Sequence, residues 1–455
     1  ESMQDYWWKF SNVDGNFYQG KKDGTLDTSI AEFNTAFIRK TTEGSMTITL
    51  DYRDSTSTAP THSFYNRHRA EEVSRKVYFR KAWRNQGPDT VIAKSTSNTP
   101  SVMTLVNDVP TVAYHDNEAN RIVVTQFQND KWGNVGTINM TAAPASIQLA
   151  ADGSTIYVGV LDSAGNYSVY KSFTQIGNTI EGVTQAKILA KSGATNAVVL
   201  YLKNNAVYLA ELNAGTWKNN ATFNRLKYKF NNNNTSVNYR EFDALFASNG
   251  NLVIIAVDNS SDYVGYKFIY SSSYQNTHGE KIDKHMSKIA LAEKSNTLYI
   301  GFANRDVEHG KYGPYLYKGT LANNSLSIDK SGVYSKSIHE GLIAYNISLA
   351  ISGNTLYAAM DDAGRPNLSQ VHVYRLEGGS WHPHGENQLP YFSFVFYNKN
   401  QYYLRGSHPT IATNSVGKVY VSMLARETAY DDSTHTAKNN GPLVMKYVAD
   451  NWEIK

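Results

Sequence analysis

Apolar β-type runs that end at an acidic or amide residue recur along most of this chain. A second β-type run follows each of them and often ends at a Trp. The seven copies occupy residues 109–116, 156–162, 198–204, 252–258, 298–304, 356–362 and 419–426. The first six end at Asp or Asn, and the copies follow one another at steps of about 40 to 65 residues, a period typical of a small sheet repeated along the chain.

This period predicts an all-β fold, a seven-bladed β-propeller over residues 91–455, in which each blade has four strands named A to D from the centre outward. The recurrent apolar run is strand B. In the seventh blade the four strands are expected at 409–413, 418–424, 443–448 and 452–455. Both ends of the ring look complete, so no exchange of strands between the chain ends is expected.

Residues 1–90 lack the repeat and predict a small β module or cap. Three alternating runs, at 33–40, 46–52 and 76–83, are separated by Gly and Ser/Thr clusters. An eighth blade built from these strands is the alternative. The basic stretch 67–84 favours a solvated strand face over a patch for anionic ligands.

Composition excludes several classes of protein. Apolar residues make up 41% and charged residues 18% of the 455 residues, so the chain is globular rather than disordered. The net charge of +4 does not indicate a nucleic-acid partner. The chain has no Cys, and no apolar run is long enough to span a bilayer. We expect a secreted or cell-surface bacterial protein whose export signal has been removed ahead of Glu1.

The loops after strand B offer the best candidate site. They are short in the early blades and lengthen in blades five to seven, where extra length serves no packing need. The candidate ligand-binding residues on them are Arg305, Asp306, His309, Tyr312, Asp361, Asp362, Arg365, Arg426, Tyr430 and His435. Carboxylates and guanidinium groups bind vicinal hydroxyls, and Tyr rings cover the apolar face of a sugar. This favours a non-catalytic binding protein for a polysaccharide or glycoconjugate.

Three alternatives remain open on the same loops. A polysaccharide lyase needs an acid and a base with a cation for the uronate, which Tyr430, His435 and Arg426 could supply. A glycoside hydrolase needs two carboxylates, for which Glu308 with Asp362 or Glu427 is a candidate pair. The third alternative is a protein-interaction or adhesion scaffold that binds a surface protein, which needs no catalytic residues.

The repeats resemble the bacterial propeller repeats of sialidase-like and surface sugar-binding proteins, without pointing to a specific family. Residues 213–217 keep the Gly-x-Trp end of the sialidase pattern Ser-x-Asp-x-Gly-x-Thr-Trp. The resemblance implies a propeller. Because the chain departs from the rest of that pattern and lacks a clear three-Arg clamp, it does not imply sialidase chemistry.

The sequence motifs for metal or cofactor binding are weak, and we expect neither a bound metal nor a cofactor. His382 and His384 are interpreted as part of a surface turn. Residues 258–262 are interpreted as a turn between strands B and C rather than a calcium loop. No Gly-rich phosphate loop follows a strand. Four aromatic residues just after strand C are expected to fill the wedge between outer strands: Trp132, Trp217, Trp381 and Trp452.

Overall fold

The computed structural model contains two compact units, Glu1–Trp83 with Val448–Lys455, and Arg84–Tyr447. Side chains are described for residues 86, 92–93, 99–190, 197–219, 237–270, 279–304, 313–322, 325–331, 337–338, 344–361, 370–384, 406–425 and 441–447, and some further strands by their backbone alone. All regular elements of this described part are β-strands. None of its segments is a helix of the length and apolarity that crossing a membrane requires.

The described part of the smaller unit is one five-stranded sheet. Its strands, in spatial order, are β2 (Phe17–Lys21), β1 (Met3–Ser11), β3 (Gly44–Asp54), β4 (Ser74–Phe79) and β36 (Glu453–Ile454). The run expected at 46–52 lies within β3. The run expected at 33–40 lies outside the described residues.

The larger unit contains seven sheets with the same spatial order, and the predicted seven-bladed propeller is confirmed. Blade one is β6 (Val102–Val106), β7 (Val109–Asp116), β8 (Arg121–Gln128) and β9 (Lys131–Asn139). Blade two is β10 (Pro144–Asp152), β11 (Thr155–Asp162), β12 (Tyr167–Lys171) and β13 (Thr174–Gln175). Blade three is β14 (Gln185–Leu189), β15 (Val198–Lys203), β16 (Ala206–Asn213) and β17 (Thr216–Asn219).

Blade four is β20 (Tyr239–Phe246), β21 (Leu252–Asp258), β22 (Gly265–Tyr270) and β23 (Gln275–Asp283), extended by β18 (Lys227–Phe230) and β19 (Asn233–Ser236). Blade five is β24 (Met286–Lys294), β25 (Thr297–Asp306), β26 (Lys311–Ala322) and β27 (Ser325–Asp329). Blade six is β28 (Ala344–Ser352), β29 (Thr355–Asp362), β30 (Val371–Glu377) and β31 (Ser380–Pro383). Blade seven is β33 (Asn400–Thr413), β34 (Val419–Ala429), β35 (Asn439–Tyr447) and β5 (Trp83–Asn85), with β32 (Val395–Tyr397) beside β33.

The innermost strands form a closed ring. Each contacts the innermost strand of the next blade, and β33 of blade seven contacts β6 of blade one. Side chains link equivalent positions of successive inner strands: Gln148 accepts a hydrogen bond from the Ile188 N–H at 2.8 Å, and Asp243 accepts one from the Leu291 N–H at 2.9 Å. The blades therefore share one orientation around the channel.

The core lies between blades rather than within one central layer. Six clusters of buried apolar side chains each draw on two neighbouring blades in the described part of the chain. Strand B is covered on both faces, and all seven residues of β21 are buried. This explains why the recurrent runs are continuously apolar, since a strand buried on both faces needs no polar side.

The prediction that residues 452–455 form the fourth strand of blade seven was wrong. Residues Glu453–Ile454 pair with β4 in the smaller unit, opposite Tyr78 and Val77. Blade seven is instead completed by β5, and next to it the Gln86 N–H donates to the Val444 carbonyl at 2.7 Å. A segment from before the first blade thus completes the last one. Tertiary pairing, which the local sequence does not encode, decides which short segment fills this position.

Three of the four Trp residues expected to pack between outer strands lie at blade junctions. Trp217 is buried, and its indole N–H donates to the Ile176 carbonyl of blade two at 2.9 Å. Trp132 donates to the Gln86 carbonyl at 2.6 Å, beside the closing strand. Trp381 packs on the cluster between blades five and six. Trp452 lies outside the described residues.

Candidate ligand-binding face

One end of the ring carries both the turns after strand B and the starts of the innermost strands. Strands alternate in direction within a blade, so the end of strand B and the beginning of strand A lie at the same end. This end is called the loop face. Its described turns include Asp116, Asp162, Asp258 and Asp361.

The acidic residues that end strand B organise their own turns in blades two and four. The Asp162 carboxylate accepts from the Ala164 and Asn166 N–H groups at 2.9 and 2.8 Å. Burial opposes its ionisation, but the hydrogen bonds outweigh burial and lower the pKa of Asp162. Asp258 accepts from the Val264 N–H at 2.8 Å, which confirms the turn predicted at 258–262. The recurrent acidic residue is a turn former in these blades.

Five of the innermost strands carry a β-bulge near the loop face. The register shifts at the start of the blade in blades two, four, five, six and seven. The residues left out of the pairing are Ala145, Arg240, Lys288 with Ile289, Tyr345 with Asn346, and His408 with Pro409. Bulges commonly re-aim side chains beside binding sites.

Four of these residues lie in four successive blades at the mouth of the channel: Arg240, Lys288, Tyr345 and His408. We call this set the bulge arc. Tyr345 is 46% exposed. Lys288 and His408 both have φ of 52°, in the left-handed region that non-Gly residues rarely occupy. The arc combines a guanidinium, an ammonium, a phenol and an imidazole.

At the junction of blades four and five, several groups form one connected cluster. The Arg240 guanidinium lies 4.6 Å from the centre of the Tyr263 ring, a cation–π distance. The Tyr263 carbonyl accepts from the Met286 N–H at 3.0 Å. The Glu241 carboxylate accepts from the Lys288 N–H at 2.8 Å. These contacts hold the bulges of blades four and five against each other.

An ion pair flanks this cluster. Lys284 lies 2.5 Å from Asp262, and its hydrogen bond lowers the pKa of the Asp262 carboxyl. The same contact raises the pKa of Lys284. The His285 N–H donates to the Asp262 carbonyl at 2.6 Å.

At the junction of blades six and seven, Asp361 connects two bulges. It is 3% exposed, and its carboxylate accepts from the Asn346 N–H and side-chain amide at 2.6 and 2.8 Å. It also accepts from the His408 N–H at 2.9 Å. Asp361 therefore positions the backbone that carries Tyr345 and His408.

Strand pairs in blades five and seven extend past the ends of their blades. In blade five, Arg305 pairs with Tyr312 and Asp306 with Lys311. In blade seven, Arg426 pairs with Arg405, and the pairing continues to Ala429 opposite Tyr402. Part of each predicted loop is thus a β-ribbon rising from the loop face.

The predicted site residues are distributed over these features. Of the ten predicted residues, only Asp361 has a side chain that the structure describes. Arg305, Asp306, Tyr312, Asp362 and Arg426 lie in strands described by their backbone, and His309, Arg365, Tyr430 and His435 lie outside the described residues. Apart from Arg305 opposite Tyr312, the described backbone pairs none of them with another. Their binding of a ligand stays a prediction.

The bulge arc was missed by the sequence analysis, which considered only loops after strand B. A bulge shows in the sequence only as one residue out of phase with the alternation. The Pro after His408 is the one visible signal, because Pro cannot donate to a ladder.

The interpretation of His384 as a surface-turn residue was wrong. It is 3% exposed, and its ring lies between those of Tyr357 and Tyr447, with centroids 4.9 and 3.7 Å away. Burial, with Arg375 nearby, lowers its pKa to about 4. The described residues contain no group of three or more potential metal ligands.

Comparisons with known proteins concern the fold alone. No family model matches the sequence, and a search of curated proteins finds no match. Among solved structures, a chain in the mitotic checkpoint complex is 14% identical, with a TM-score of 0.45, over 81% of this chain and 94% of that chain. Trypanosoma rangeli sialidase is 10% identical, with a TM-score of 0.44, over 78% and 55%.

Kuenenia stuttgartiensis hydrazine synthase is also 10% identical, with a TM-score of 0.43, over 74% of this chain and 94% of that chain. A sialidase is among the solved structures that the chain resembles. The names of these proteins state unrelated activities, and none of those activities is transferred to this chain.

Proposed function

We propose that this protein is a non-catalytic binding protein for a polysaccharide or glycoconjugate, secreted or held at a cell surface. The bulge arc carries this proposal. It brings Arg240, Lys288, Tyr345 and His408 to one channel mouth from four successive blades. A mouth ringed by polar and aromatic groups is a common place for ligands in propellers.

The chemistry of the arc suits a sugar. A pyranose presents directional hydroxyls and one apolar face, so it needs hydrogen-bonding groups beside an aromatic ring. Tyr345, at 46% exposed, is one of three large apolar side chains classed as exposed in the described part of the chain. The ribbons of blades five and seven carry Arg305 and Arg426 at the same end of the ring.

Three acidic residues on this face accept hydrogen bonds within the protein itself. Asp162, Asp258 and Asp361 each accept hydrogen bonds from backbone N–H groups, so they serve the architecture. The candidate acids of a hydrolase, Glu308, Asp362 and Glu427, have no described side chains. Hydrolase and lyase activities are therefore outcomes that the test must separate.

The test compares three variants on a broad glycan array. Tyr345→Ala and Arg426→Ala are expected to weaken binding by about tenfold or more, because each removes a direct ligand contact. Val416→Ala is the matched control. Val416 is 73% exposed on the turn between strands A and B of blade seven, at the opposite end of the ring. All three should unfold within about 0.5 kcal/mol of wild type.

Other outcomes would overturn the proposal. No binding to any glycan at high protein concentration would favour the protein-interaction scaffold. Unsaturated, ultraviolet-absorbing products from uronate polysaccharides would show a lyase, and shortened saturated chains would show a hydrolase. Detection of the native protein only inside the cell would remove the cell-surface assignment.

A further inference from the structure

Two cations of the bulge arc have no acidic partner in the part of the chain that the structure describes. Arg240 is the extra residue of the bulge between Tyr239 and Glu241. Its guanidinium is held against the face of the Tyr263 ring rather than by a carboxylate. A ring positions the group without using its N–H donors, which remain available to an anion.

Lys288 lies at the facing bulge of blade five. Its side chain is exposed, and its backbone has the left-handed φ of 52°. The Lys288 N–H is fixed by Glu241, and no described carboxylate lies within ion-pair distance of its ammonium. The chain thus accepts an unusual backbone conformation at a lysine, a feature that often accompanies binding sites.

The nearby carboxylates are already occupied. Glu241 accepts the Lys288 N–H, and Asp262 pairs with Lys284. Asp243 pairs with Lys187 and accepts the Leu291 N–H. Arg240 and Lys288 therefore form no ion pair with any carboxylate among the described residues of the junction, and both lie at the channel mouth.

We propose that the junction of blades four and five binds the anionic groups of an acidic polysaccharide, a deeper statement that rests on the proposed glycan binding. Arg240 offers a planar fork of donors to a carboxylate or sulfate, and Lys288 offers a second positive charge. Uronate carboxylates and sulfate esters share this chemistry, so the test must separate them.

The experiment measures affinity for dextran, dextran sulfate, polygalacturonate and its methyl ester by calorimetry. We expect dextran sulfate or polygalacturonate, or both, to bind at least about tenfold more tightly than the uncharged counterpart, with a preference that falls as salt rises. Binding of dextran sulfate alone would indicate a site selective for sulfate esters. Binding of polygalacturonate alone would indicate a site selective for uronate carboxylates.

Variants assign the effect to the junction. Arg240→Gln and Lys288→Gln should each weaken binding of the preferred anionic polymer by about tenfold, the usual order for a lost charge-assisted contact. Lys218→Gln is the charge-matched control, because Lys218 is exposed on outer strand β17 of blade three. It should bind as wild type does. Unchanged melting temperatures and circular dichroism spectra would show that the variants fold.

If the Arg240→Gln variant does not fold, the Lys288→Gln variant and the salt dependence of binding still test the proposed anionic site. Equal affinity for charged and neutral polymers, or equal losses in the Lys218 variant, would overturn this inference while leaving glycan binding intact. Binding of a DNA oligomer as tightly as the sugar polymers would also overturn it. Failure to bind any polymer, charged or neutral, would instead count against the proposed function itself.

Discussion

At the scale of single residues, a buried histidine with a strongly lowered pKa lies where two blades meet. The His384 ring makes tilted contacts with Tyr357 of blade six and Tyr447 of blade seven, and an Arg375 nitrogen lies 3.5 Å from its Nδ1. Burial first, and the charge of Arg375 second, lower the pKa of His384 to about 4. A neutral imidazole therefore joins two blades, and protonation would place a charge in that contact.

This gives a prediction about pH. The pKa of His384 is lower in the folded than in the unfolded chain, so its stabilising effect is complete above about pH 6.5 and is lost as pH falls towards about 4. The loss attributable to it is about 3 kcal/mol. The measurement is urea unfolding of wild type and His384→Phe from pH 7.5 to 3.5.

The phenyl ring of the variant keeps the ring contacts but does not titrate. The difference in free energy of unfolding between the two proteins should therefore change across this pH window in favour of the variant. Parallel pH profiles would show that His384 has the same pKa in the folded and unfolded chains, and so is not buried as described.

At the scale of elements, strand B was predictable and the bulges were not. Because strand B is buried on both faces, it appears in the sequence as a continuous apolar run. Every residue of β21 is buried. A bulge is defined by the pairing partner. Arg240 is extra only because Tyr239 and Glu241 pair with the consecutive residues Asp258 and Val257. No local pattern distinguishes it from its neighbours.

The same difference explains how little of the candidate site could be predicted. Loop length drew attention to the end of the ring that carries the bulge arc and to Asp361, but the sequence cannot show that the Asp361 carboxylate accepts hydrogen bonds from Asn346 and His408. The bulge arc depends on neighbouring blades meeting, which is a property of tertiary structure. Residue type alone therefore overstates the number of acids available to a ligand.

The turn after strand B gives a prediction at this scale. Asp258 is 7% exposed and accepts hydrogen bonds from the Val264 N–H and the Ser260 hydroxyl at 2.8 and 2.6 Å. Asp258→Ala leaves a buried N–H without its acceptor and should cost about 3 kcal/mol. Asp258→Asn keeps one acceptor oxygen and should cost about 1 kcal/mol.

Thermal and urea unfolding of both variants measure these costs. The order of the two is the discriminating result. Equal losses would mean that charge rather than hydrogen bonding holds the turn, and no loss in either variant would mean that solvent replaces the carboxylate.

At the scale of the whole propeller, stability depends on closing a ring whose ends are far apart in sequence. Blade seven meets blade one where the Asp108 carboxylate accepts from the Ser415 N–H at 3.0 Å. The closing strand β5 precedes the first blade and pairs with β35. Contacts of such sequence separation leave no periodic signal, which is why seven blades could be predicted and their closure could not.

The closure gives the last prediction. A fragment of residues 82–447 should fold and unfold in one cooperative transition, because it retains all seven blades and β5. A fragment of residues 99–447 should melt several degrees lower and aggregate on heating. The shorter fragment lacks the backbone N–H groups of Gln86 and Ile92 that donate to the Val444 and Pro442 carbonyls, so β35 is left as an open sheet edge.

Within the longer fragment, Gln86→Pro should lower the melting temperature, whereas Gln86→Ala, which keeps the backbone donor, should lower it less. If the two fragments melt together and the proline has no greater effect than the alanine, β5 does not hold the ring closed.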